Sequence, residues 1–145
     1  MHMKKLLLLV VLLGLAALGA TAQETVNFSD LPDMDNPSPI PNGYGNVTWS
    51  GFYFVDPFDW GGSGQGFKHA PIGRDVGFSP LACNGSLCSA SLSSTTGFQL
   101  VSAHAAAGYS KNPLVVTAYN HGRYVGVQTY MMTTDEQELD FPPAC

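Results

Sequence analysis

The stretch Pro41–Asp56, PNGYGNVTWSGFYFVD, narrows the choice of fold more than any other part of the chain. It opens as a turn, because Pro41 fixes φ while Asn42, Gly43 and Gly45 tolerate positive φ. From Asn46 to Asp56 it continues in aromatic and β-branched residues, the composition of a strand. Trp49, Phe52, Tyr53, Phe54 and Val55 can fill a core or line a groove. Trp49 reads as core, since strand aromatics of this kind are mostly buried.

The rest of the chain follows the same pattern. Asp75–Ser79, Ser89–Ser93, Pro113–Tyr119, Arg123–Met132 and Glu138–Phe141 read as short strands, and Asn120-His121-Gly122 reads as a tight turn. Glu24–Phe28 alternates and reads as a first strand. Gly97–Tyr109 has no helical stripe and reads as strand despite its alanines. Two loops interrupt the series. Ser29–Pro41 holds four prolines and three aspartates. Pro57–Ala70 is Gly-rich, with Phe58, Trp60 and Phe67 interleaved. Short strands, Gly/Pro-rich turns and no amphipathic helix predict an all-β fold, an antiparallel jelly-roll-like sandwich.

Met1–Ala22 has the form of a secretory signal peptide, with basic Lys4 and Lys5, the apolar run Leu6–Ala20 and the small-x-small site Ala20-Thr21-Ala22. The run falls short of the ~20 apolar residues of a spanning helix, so the expectation is a secreted, extracellular protein with no membrane segment in its mature form. Residues 23–145 are then a single domain. The leader takes away Lys4 and Lys5 and no acid, so the formal charge moves from −5 to −7. An acidic chain with scattered cations argues against nucleic acid and anionic membranes as partners. In an oxidising compartment Cys83 and Cys88, flanking a turn-forming tetrapeptide, are expected to form a disulfide; the alternative is two unpaired thiols. Cys145 is the odd one of three cysteines. Asn27, Asn46 and Asn84 each head an N-x-S/T sequon and are candidate glycosylation sites.

The candidate chemistry is recognition. Sugars need aromatic faces beside a few placed polar groups. Trp60 and Asp59 on the Gly-rich loop, with Phe67, Gln65 and Tyr44, supply both. The competing reading is that the loop's aromatics fold back onto the core. Asp30, Asp33 and Asp35 offer hard oxygen ligands for a calcium ion, against the plainer reading of a solvated acidic loop. Catalysis has less support. Asp56, Asp59 and Asp75 could be drafted as glycosidase carboxyls, but no nucleophile elbow or metal spacing accompanies them.

Several of these residues fall into a pattern. Phe28-Ser29-Asp30-Leu31 precedes Ile40-Pro41-Asn42-Gly43-Tyr44-Gly45, then Trp49-Ser50-Gly51-Phe52-Tyr53, then the Phe98–Ala103 segment and the Val116–Gly122 hairpin. The chain thereby resembles a loose group of small secreted proteins of fungi and bacteria. The resemblance implies a jelly-roll β-sandwich, similar in outline to galactose-binding-like and carbohydrate-binding modules. It also implies a closing strand beyond Cys145, so the expected sandwich lacks its last strand. Ser29 departs from the pattern, standing where an acid is usual. Together these readings expect a secreted, non-catalytic module that binds carbohydrate. A secreted protein-interaction module and a small glycoside hydrolase are the alternatives.

Overall fold

A computed structural model describes residues 23–61, 64–69, 74–79 and 89–143. Residues 1–22, where the leader is expected, and Cys83, Asn84, Cys88 and Cys145 lie outside the described residues. Within them, nine strands form four small antiparallel sheets. They are β1 (Ser38–Pro39), β2 (Thr48–Ser50), β3 (Tyr53–Val55), β4 (Val76–Phe78), β5 (Ser91–Ser93), β6 (Ser102–Ala105), β7 (Asn112–Asn120), β8 (Arg123–Met132) and β9 (Gln137–Asp140). One short α-helix, α1 (Gln65–His69), lies between β3 and β4, and a 3-10 turn spans Tyr44–Asn46 before β2. The sheets are β1-β3-β4, β2-β5, β6-β9 and β7-β8. The all-β, antiparallel expectation holds.

The longest pairing is the β7–β8 hairpin. His121 and Gly122 have φ of 48° and 76° and form a two-residue loop between paired Asn120 and Arg123. Two successive positive φ values are what a type I′ turn requires, and that turn matches the strand twist. Burial then alternates along β7. Leu114, Val116 and Ala118 turn inward, while Val115, Thr117 and Tyr119 are exposed. Val125 bulges where the register shifts between Ala118 and Tyr119.

Three expectations are corrected. Glu24–Phe28 is irregular rather than a strand. Its side chains are held by the turn instead, through Asn46 Nδ2 donating to Glu24 Oε2 at 2.7 Å and Phe28 stacking on Tyr44. The strand expected over Asn46–Asp56 is two strands in different sheets, because Gly51 takes φ 72° between them and turns the chain. Gly97–Tyr109 is strand only at Ser102–Ala105.

Two small cores result. Val55, Phe67 and Val76 form one, with Trp60 and Phe78 against it. Ala107, Met132 and Leu139 form the other, with Leu114, Tyr130 and Phe141 around it. The helix joins them. Gly66 N–H donates to Gly108 O at 3.1 Å, the rings of Phe67 and Tyr109 meet at 5.6 Å, and His69 Nδ1 lies 2.8 Å from Thr134 O. Ala107 N–H donates in turn to Thr133 O at 2.7 Å. No helix among the described residues is long and apolar enough to cross a membrane.

Candidate functional site

The residues Asp56–Trp60 leave β3 as a hydrogen-bonded turn. Asp56 Oδ1 accepts the Phe58 N–H at 2.8 Å, and the Trp60 N–H reaches Asp56 O at 3.1 Å. This is the local bonding that favours aspartate in turns. It sends Trp60 back over β4, where the ring stacks on Phe78 at 5.8 Å and 20° and meets Phe67 edge-on at 5.3 Å. Trp60 is half-buried by these contacts. Phe67, which the sequence presents as a loop aromatic open to a ligand, is instead 9% exposed and packs against Trp60, Phe78 and Tyr109. It is the centre of a core, and its role is to hold Trp60.

A broad, open trough is bordered by residues from all four sheets, among them Trp49, Phe52, Tyr53, Trp60 and Phe78, and it runs on over both faces of the β7–β8 hairpin. Gln65 and Asp59 are exposed, with Asp59 engaged by Arg74. Tyr44 stands apart from Trp60, at a smaller cleft of about 500 Å³ that Glu24, Asn27 and Asp30 also line. Trp49 is half-buried, its indole N–H donating to Tyr44 O at 2.7 Å, and its ring lies between those of Phe28 and Phe52. Asn27 and Asn46 are both exposed.

The charged centre of the molecule is one that sequence reasoning did not assemble. Arg74, at the entry to β4, binds Asp33 at 2.7 Å, Asp59 at 3.0 Å and the buried carboxylate of Asp56. Asp75 lies beside them, 3% exposed. The acids that converge among the described residues are thus Asp33, Asp56 and Asp75. Asp30 accepts a hydrogen bond from Tyr44 Oη, and neither it nor Asp35 joins that group. The available signal was Arg74 itself, the sole Lys or Arg between Lys68 and Lys111 in an acid-rich chain.

Environment separates the two buried acids. Burial would raise Asp56, but the Arg74 hydrogen bond, the Phe58 N–H and the Arg74 charge outweigh it and hold the carboxyl below its ordinary value. Burial raises Asp75, and the charges of Asp56 and Asp33 add to this while Arg74 offsets it only in part. Asp56 therefore stabilises the fold above its ordinary pKa and ceases to as pH falls through its lowered one. Asp75 acts in the opposite sense, favouring the fold at low pH and losing that contribution as pH rises through its raised value.

Tyr44 gives a cleaner readout. Burial, then the Asp30 hydrogen bond and charge, push its hydroxyl up to about 12. The neutral phenol is favoured in the fold, so this contribution is full below 10.0 and is lost as pH rises through about 12. In a tyrosinate absorbance titration, one of the six tyrosines should ionise near pH 12, and Tyr44→Phe should remove that component. A Tyr44→Phe curve that keeps it would contradict the assignment.

No protein-family model matches the chain, and neither a curated protein nor a solved structure matches it significantly. Fold and geometry thus define the class, a small all-β protein with an aromatic trough beside an arginine-braced acidic cluster.

Proposed function

We propose that the protein is a secreted, non-catalytic module, a jelly-roll-like sandwich, that binds cell-wall polysaccharide or glycan with Trp60 as its main platform. The observation that carries this reading is the setting of Trp60. Its ring is fixed by Phe67 and Phe78, remains partly exposed and stands in the wall of the open trough. A rigid aromatic surface held before binding loses little entropy when a sugar ring covers it. Exposed Gln65 and Asp59 supply hydrogen-bonding groups nearby in sequence. Arg74 engages both Asp56 and Asp59, so neither is a free base in this arrangement. The leader and the sequons support export.

Trp60→Ala should lower retention on the recognised polymer by about tenfold, the equivalent of one good aromatic contact. Trp60→Phe, which keeps a ring in the core, should recover part of it. Equal retention by folded Trp60→Ala and parent would overturn the site.

One observation favours a second reading, a protein-interaction module. The outer face of β7–β8 exposes Val115, Tyr119, Tyr124, Val127 and Met131 together. Contiguous apolar surface of this kind often marks an interaction site.

A further inference from the structure

We propose that Asp33, Asp56 and Asp75 form a binding site for a hard divalent cation of the calcium class, braced from outside by Arg74. One carboxylate oxygen from each residue lies within 4.8 Å of the others. A cluster of acids alone ordinarily marks a solvated surface. Here a second observation points to a ligand: Asp75 Oδ1 is buried with no hydrogen-bond partner among the described residues, on a residue 3% exposed. Buried carboxylate oxygens are almost always partnered, because an orphaned one forfeits its hydration for nothing.

The donor set defines the cation. All three residues offer oxygen, and no His or Cys joins them among the described residues. Hard oxygen ligands suit calcium or magnesium rather than zinc or copper. Calcium, with six to eight ligands and tolerant geometry, is the better match to three aspartates from separate segments. Arg74 does not exhaust the cluster. It engages Oδ2 of Asp33, Asp56 and Asp59, while Phe58 N–H takes one lone pair of Asp56 Oδ1. A carboxylate oxygen has a second lone pair to give. Four aspartates, Asp33, Asp56, Asp59 and Asp75, face the single guanidinium of Arg74 here.

The segments are already positioned. Asp56 N–H donates to Met34 O at 3.3 Å, which seats the Pro-rich loop against the end of β3. Asp75 directly precedes β4, and β3 and β4 pair from Val55 to Val76. A cation here would tie the loop to both strands and stabilise the fold by binding only its folded form.

The test uses the full chain stripped with EDTA, titrated with calcium chloride by calorimetry and followed by thermal unfolding. Calcium should bind one site and raise Tm. Asp75→Asn should raise the Tm of the stripped protein, since a neutral amide replaces an unpartnered carboxylate, yet lose the calcium-dependent rise. Asp33→Asn, on an exposed side chain, should weaken calcium binding by removing one charged ligand, while leaving the core untouched. A stripped parent that shows neither heat nor a Tm change at millimolar calcium would overturn the proposal. So would variants that bind calcium as tightly as the parent.

Discussion

Phe67→Ala is expected to destabilise the protein by about 3–5 kcal/mol, the usual range for deleting a buried phenylalanine ring. Phe67 touches Trp60, Phe78 and Tyr109, each at a centroid distance between 5.1 and 5.6 Å and near-perpendicular or steeply inclined. Edge-to-face pairs of this kind each add about 0.5–1.5 kcal/mol beyond burial. The surrounding core is small, with Val55 and Val76 as its other buried members, so little can move in to fill the gap. Against a total stability of about 5–15 kcal/mol the loss is large. Urea unfolding of parent and variant measures it directly. A loss under about 1 kcal/mol would return Phe67 to the surface role that its place in a Gly-rich loop suggests.

Gly66→Ala should cost about 1–3 kcal/mol through overpacking. The sign is informative, because helix propensity alone would favour alanine here by about 1 kcal/mol. Sterics win because a Cβ at Gly66 would sit 1.8 Å from Ala107 O and 2.6 Å from its carbonyl carbon. Both are backbone atoms, so relief requires α1 to lift from the Ala107–Gly108 segment. That would break the Gly66 N–H to Gly108 O bond and the bridge between the two cores. Thermal unfolding should show a lower Tm for Gly66→Ala. An unchanged or higher Tm would mean that α1 is not docked as described.

The parts of the fold legible in sequence are those whose signal is local. The β7–β8 hairpin follows from β-branched residues either side of a two-residue turn that needs positive φ, and it forms where the sequence places it. Ser91–Ser93 and Val76–Phe78 follow from the same local rules. What the sequence conceals depends on contacts between distant segments. The Asn46–Asp56 run reads as one strand because nothing local says that Gly51 will pass the chain from one sheet to another. α1 is a five-residue turn of Gln-Gly-Phe-Lys-His, too short for a helical period, and it exists because it packs across to Ala107 and Gly108. The site shows the same division. Trp60 is identifiable by residue type, whereas the burial of Phe67 is a tertiary outcome. Asp33 was visible in the Pro-rich loop, but its neighbours in space, Asp56 and Asp75, are supplied by the pairing of β3 with β4.

The carbohydrate reading is tested most directly by co-sedimentation of the folded, monodisperse protein with insoluble chitin, β-glucan, cellulose and mannan. Saturable binding to at least one polymer, accompanied by a change in tryptophan fluorescence, is the expected result. Retention by none of them, in a sample shown to be folded and monodisperse, would contradict the account and leave the exposed face of the β7–β8 hairpin as the surface to pursue.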